Sequence, residues 1–265
     1  MTTGTGTGRD ATRSTVARRT PHVRAVLTQA RMEVRLVVRS SESLVVTLGL
    51  PLGVLVLFST VDVLPTGGAR AVDFLVPGVI AISVGATGIV VVAVQTAFER
   101  KYAVLKRLGV SPLSRGGFLV AKALSVVAIL AVQTGLVVAL AVGALGWRPG
   151  LGVGGALTAL ALIALAALAA TSTGLLMAGT LRAEATLAGA NALFLVLVAI
   201  SGVAFDAAVL PATLARIGAV TPVGALAEAL RGVTDGGPVA GAALRLAAWA
   251  VVATLAAARS FRWEP

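Results

Sequence analysis

The residues able to do chemistry are few, and the densest group is ERKYAVLKRLGVSPLSRG, running from Glu99 to Gly116. Glu99, Arg100, Lys101, Lys106 and Arg107 are interleaved there with apolar Tyr102, Val104, Leu105 and Leu108. Charge mixed with apolar residues at helical spacing suits recognition of a partner surface by ion pairing and burial, not the making or breaking of bonds. The plainer reading is a solvated basic connection. Spacing predicts a short helix from Glu99 to Leu108, stopped by Gly109 and followed by a turn at Ser111 and Pro112.

Catalytic and cofactor constellations are missing. There is no cysteine, so thiolate catalysis, disulfides and Cys-based zinc sites are closed, and the single histidine, His22, cannot build a metal cluster or a His-assisted hydrolase. No Gly-Lys dipeptide occurs, so the chain has no P-loop for ATP. Gly150, Gly152 and Gly155 match GxGxxG literally, but they follow Trp147, Arg148 and Pro149 in a turn, with no strand before them. No apolar block carries a central carboxylate, which argues against an aspartyl dyad and weakens a proton relay, while sodium coupling through backbone carbonyls stays open.

The elements that position these residues are membrane spans. The 265 residues are 57% hydrophobic and 12% charged, with a mean hydropathy of +0.97, whereas soluble domains carry roughly 25% charged residues. A crossing needs about 20 apolar residues, and six blocks qualify, at 43–61, 74–98, 117–145, 153–181, 185–205 and 239–258. Pro51 and Pro77 fall inside spans and predict kinks. With the N-terminus inside, 17 of the 22 basic residues lie on the cytoplasmic side. Only Arg70, Arg148, Arg216, Arg231 and Arg245 lie outside. The positive-inside rule selects that orientation, and an even number of crossings returns the C-terminus to the cytoplasm. The net charge of +11 is thus spent on orientation against anionic lipid, with no nucleic-acid partner implied. Arginine far outnumbers lysine, and Ala, Val, Leu and Gly dominate, pointing to a bacterial cytoplasmic (inner) membrane.

Three further segments stand out. Residues 1–22, rich in Thr, Gly and Arg, read as a disordered cytoplasmic tail, and the first 42 residues are too long and polar for a signal peptide. The transmembrane domain is then 23–265. Within it, Val23, Val26, Leu27, Ala30, Val34, Val37 and Val38 share one helical face and Arg24, Arg31, Arg35 and Arg39 another, predicting an amphipathic helix on the inner leaflet that anchors the chain or gates it. Between spans five and six, the segment from Asp206 to Pro238, with Pro211 in it, has helically spaced Leu210, Leu214 and Ile217. A second helix is announced by Thr221 as N-cap and Pro222 at N1, and is predicted to close at Arg231 and Gly232. Two short apolar helices predict an external re-entrant hairpin, with Glu228 and Arg231 spaced to pair on one face. Inside the spans, Gln95, Gln133 and Asn191 read first as helix-to-helix hydrogen bonding and second as a translocation path, to which Arg245 is a candidate addition.

The whole arrangement is an all-α membrane protein of six transmembrane helices with an N-terminal interfacial helix and an external hairpin, and it resembles the ABC-2 type transporter permease family. The more specific parts of the likeness are Glu99, Arg100, Leu105, Lys106, Arg107, Leu108, Pro112, Leu113 and Ser114, similar to the family's E-R-x-x-x-x-L-[KR]-R-L-x-x-x-P-L-S loop. Thr221, Pro222, Glu228, Ala229, Leu230 and Arg231 are similar to its external P-x-x-x-x-x-E-A-L-R end. The aromatic often found after that proline is absent, and Gly224 and Ala225 stand there. In appearance the chain is similar to drug or antibiotic exporters of actinobacterial type. The resemblance implies that Glu99 to Ser114 is a coupling helix seated on a separate ABC ATPase, which binds ATP and Mg while this chain binds no cofactor. It also implies a working unit of two permeases, identical or paralogous, with two ATPases. An ATP-independent carrier or channel, or a non-transporting scaffold or immunity protein of the membrane, are the alternative readings.

Overall fold

The computed structural model describes residues 9–39, 45–60, 70–104, 114–203 and 210–261. Helix α1 is Arg9–Arg39. It is followed by α2, Leu50–Thr60, which a π-helical turn at Val45–Gly49 precedes. Next come α3, Ala71–Lys101, α4, Arg115–Gly143, α5, Val153–Thr180, and α6, Ala183–Ile200. Two short helices, α7 at Ala212–Val220 and α8 at Pro222–Asp235, lead to α9, Ala240–Ser260. No strand occurs among the described residues.

Five of these helices, α3 to α6 and α9, are long and apolar enough to cross a membrane, and Thr47–Thr60 is a shorter apolar helix. The chain is a membrane protein, and each of the six apolar blocks coincides with a helix. One boundary differs markedly: α1 begins at Arg9, so its backbone is helical through much of the stretch whose composition predicts disorder. Arg and Ala, frequent there, are good helix formers, and length favours a helix already nucleated further along.

Helix α3 is the axis of the bundle. Its most apolar window is 78% buried, against 22–33% for the other four long helices. Close approach is built on glycine. A Cβ at Gly174 of α5 would stand 2.6 Å from the Gly88 carbonyl oxygen, and one at Gly88 would stand 2.5 Å from Ala170 Cβ. Both contacts fall at the π-helical stretch Ala86–Val91 inside α3, a local unwinding of the kind that marks functional positions. Along α5 lies α9, linked to it by a 2.8 Å hydrogen bond shared between Ser172 and Thr254.

The proline in α2 explains a polar side chain in the apolar interior. Pro51 has no N–H, so the Thr47 carbonyl four residues earlier lacks its helical donor. Gln133, 2% exposed on α4, fills the gap by donating from Nε2 to the Thr47 oxygen at 2.7 Å. Neighbouring helices must re-satisfy such freed carbonyls where water is absent. Replacing Gln133 by Leu is therefore expected to destabilise the fold by ~1–3 kcal/mol. Pro51→Ala in the same chain should restore part of that loss, as read from thermal unfolding of the solubilised protein in a double-mutant cycle.

Candidate functional site

At one end of the bundle α1, α3 and α4 meet around a single buried ammonium. Lys122, whose side chain is 2% exposed, contacts Glu33 Oε2 of α1 at 2.8 Å and Glu99 Oε1 of α3 at 2.9 Å. Its Nζ lies 5.7 Å from the Phe118 ring, and Gln29 Nε2 donates to the other Glu33 oxygen at 2.9 Å. One helical face delivers Glu33: Ala30, Glu33 and Val37 are buried against α4, while Arg24, Arg31, Arg35 and Arg39 are exposed. The apolar face of α1 is accordingly divided. Ala30 and Val37 face the bundle, but Val23, Leu27 and Val38 stay exposed beside the arginines.

The next residues of α3 reach the turn between α5 and α6. Arg100, 8% exposed, donates from Nη2 to the Leu181 carbonyl, and Lys101 forms an ion pair with Glu184. The helix then stops. Ala103 adopts φ 56°, a left-handed conformation that costs an alanine ~1–2 kcal/mol. Its N–H donates to Arg100 O at 3.0 Å, and that of Tyr102 to Phe98 O at 2.9 Å. Tyr102 and Val104 are exposed just beyond, and the Tyr102 ring stacks on Phe98 with centroids 6.1 Å apart.

This corrects the expected start of the short helix at Glu99. Glu99 and Arg100 belong to the last turn of the long helix α3 and point into the bundle, because burial with Lys122 and the Leu181 carbonyl outweighs exposure in a loop. Leu105, Lys106, Arg107, Leu108 and Pro112 lie outside the described residues.

At the opposite end α7 and α8 pack on the bundle. Thr221 caps α8 as expected, accepting from the Gly224 N–H at 3.2 Å, with Pro222 at the first helical position and Pro211 preceding α7. The helix runs on past Arg231 and closes at Gly236, φ 71°, where only glycine is unstrained. Glu228 and Arg231 do not pair. Glu228 meets Arg245 of α9 at 2.5 Å, while Arg231 donates to Gly202 O at 3.0 Å and lies 4.1 Å above the Phe74 ring. Helical spacing of three permits a pair, but the bundle offers each residue a better partner. Trp249 adds a third tie, donating to Val220 O at 2.7 Å. A side chain at Gly224 has no room, since its Cβ would stand 2.2 Å from Gly218 O. That close contact accounts for glycine where an aromatic is common.

Of the suggested path residues, Gln133 serves Thr47, Asn191 is exposed and donates to Leu187 O of its own helix, and Arg245 serves Glu228. Gln95 is half-buried. The structure does not gather them at one site.

The model of the ABC-2 type transporter family matches residues 24–234. The chain belongs to the ABC-2 type transporter family. The match takes in the Glu33–Lys122–Glu99 cluster and the α7–α8 pair and ends before α9. No curated protein matches the chain. Membership makes this ABC-2 chain a permease component of an ABC transporter, and the family implies an ABC ATPase as its partner.

Sequence reasoning missed the link from Glu33 to Lys122. The signal was present in two places: an acid on the same helical face as Ala30 and Val37, and a lysine set inside the third apolar block. Each alone reads as a surface charge, and only together do they make a buried pair. Removing the cation leaves two carboxylates buried without compensation, so Lys122→Met is expected to destabilise the chain by ~3–5 kcal/mol. Glu33→Gln and Glu99→Gln added to Lys122→Met should recover most of that loss in thermal unfolding of the solubilised protein.

Proposed function

We propose that this chain is the transmembrane subunit of an ATP-driven exporter that moves an amphiphilic drug, antibiotic, lipid or lipid-linked glycan across the bacterial cytoplasmic membrane. A separate ATPase, carrying the ATP and Mg, engages segment 99–114 and α1 on the cytoplasmic side, and two permease copies or paralogues line the route. Both termini are cytoplasmic, because 17 of 22 basic residues then lie inside. In this reading the apolar helix Thr47–Thr60 makes the sixth crossing, α1 rides on the inner leaflet, and α7–α8 form a re-entrant hairpin on the outer side.

The observation that carries the reading is the buried Glu33–Lys122–Glu99 cluster, two residues of which are the last acid of α3 and the first internal acid of α1's packed face. It joins the helix that leads into the charged loop to the helix lying beside it. A push from a closing ATPase dimer on the loop would reach Glu99 and pass through Lys122 to α4 and α1. Arg100 and Lys101 would carry it to the α5–α6 turn. Closure of this kind rocks packed helices as rigid units, since packed cores do not deform continuously. Chemistry on the cargo is not required.

The test is a reconstituted complex with the ATPase. Lys106→Glu with Arg107→Glu is expected to lower permease-stimulated ATP turnover about tenfold, within the usual range of coupling energies between sites. Insertion and the thermal unfolding temperature should be retained. Arg216→Glu, on the far side, should leave stimulation unchanged. Full stimulation by the doubly reversed chain would refute the coupling role.

A further inference from the structure

The outward face of α1 is a row of arginines. Arg24, Arg31, Arg35 and Arg39 are exposed, and none of them forms an ion pair among the described residues. Arg31, Arg35 and Arg39 follow one another at i, i+4 and i+8, so they stand one turn above another, and like charges at that spacing repel. Glu33, between the first two in sequence, is turned the other way and held by Lys122. From residue 23 to residue 39 every exposed side chain is an arginine, an apolar residue or Thr28, with no exposed acid among them.

Large apolar side chains border this row on both sides. Leu27 and Val38 are exposed along one edge, and Met32 and Leu36, 58% and 56% exposed, along the other. Helical spacing sets the buried Ala30, Glu33 and Val37 opposite the arginines. A face turned to water would carry its charges without apolar borders. A helix at the boundary of headgroups and acyl chains presents both, because guanidinium groups reach the phosphates while the side chains beside them enter the apolar layer. Guanidinium donates to phosphate oxygens in pairs, and a lipid with net negative charge leaves that contact uncontested by a cationic headgroup. The position of α1 suits such a contact, since it packs on α4 and leads into the apolar helix Thr47–Thr60.

We propose that the arginine face of α1 is a docking surface for anionic phospholipid, with Arg31 and Arg35 on headgroup phosphates and Met32 and Leu36 among the acyl chains beside them. The headgroups relieve the repulsion along the row while Glu33, on the opposite side, stays on Lys122, so a single helix is held between lipid and bundle. The inference deepens the reading of α1 on the inner leaflet by naming the lipid class it takes, and rests on the exporter reading only for which leaflet that is. Lipid binding itself needs no ATPase.

The experiment uses the full chain without ATPase in nanodiscs of mixed phosphatidylcholine and phosphatidylglycerol, with bromine on the acyl chains of one lipid or the other. Met32→Cys supplies the only thiol, since the chain has no cysteine, and carries a fluorophore that bromine quenches. Phosphatidylglycerol is expected to be enriched about fivefold beside the label, the effect of roughly one arginine near an anionic surface. Adding Arg31→Gln and Arg35→Gln should bring the two lipids close to parity, while Arg216→Gln on α7 leaves the enrichment in place. The replaced side chains are exposed, so the thermal unfolding temperature should match that of the labelled parent. Salt gives a second reading that needs no substitution in the row: between about 0.1 M and about 1 M the screening length falls from about 10 Å to about 3 Å, and the enrichment should shrink. Equal quenching by the two lipids in the labelled parent, or an enrichment that neither the substitutions nor salt reduces, would overturn the proposal. So would a label that neither lipid quenches, which would assign the face to water or to a protein partner. Failure here with intact ATPase coupling would leave the exporter reading standing.

Discussion

A single ammonium held between two carboxylates away from water sets the geometry of one whole end of this protein. Ions so buried lose several kcal/mol of hydration each, so Lys122 with Glu33 and Glu99 is a weak source of net stability. What such a cluster supplies is position. A slip of α1 along α4, or a rotation of α3, would separate charges that nothing else nearby neutralises.

The other end is organised differently, by close backbone approach and by ties from side chains to neighbouring helices. Gly218 and Gly224 let α7 and α8 press on the end of α6, and a Cβ at Gly218 would stand only 1.7 Å from Ile200 O. Arg245, Arg231 and Trp249 then fasten the pair to the bundle. Helix α3 runs between the two ends and includes the π-helical stretch at Ala86–Val91, where Gly88 and Gly174 bring α3 and α5 together. The irregular middle of α3 is where the backbone departs from a regular α-helix.

Spans were legible because lipid imposes a long apolar run, and the helices at 153–180 and 240–260 match their blocks within a few residues. The cap at Thr221 and Pro222 was legible because orphan N–H groups have few solutions. The partners of charged residues were not. Helix spacing lists which residues share a face, but whether Glu228 turns to Arg231 or to Arg245 depends on where α9 lies. Gln133 was read as interhelical glue, and its reason became plain only with the carbonyl that Pro51 leaves free beside it. Glu99 looked like a loop residue because the apolar block ends just before it, while the helix continues to Lys101.

The central claim is that the buried cluster makes α1 and the loop-bearing end of α3 move as one body. Because the chain lacks cysteine, spin labels at Arg31→Cys and Tyr102→Cys, both exposed, would be site-specific. Electron–electron resonance on the reconstituted complex, nucleotide-free and with trapped ATP, should give one unchanged distance between the two labels, while the distance between Tyr102 labels across the proposed pair of permeases shifts. An α1 to α3 distance that changes with nucleotide would contradict the account.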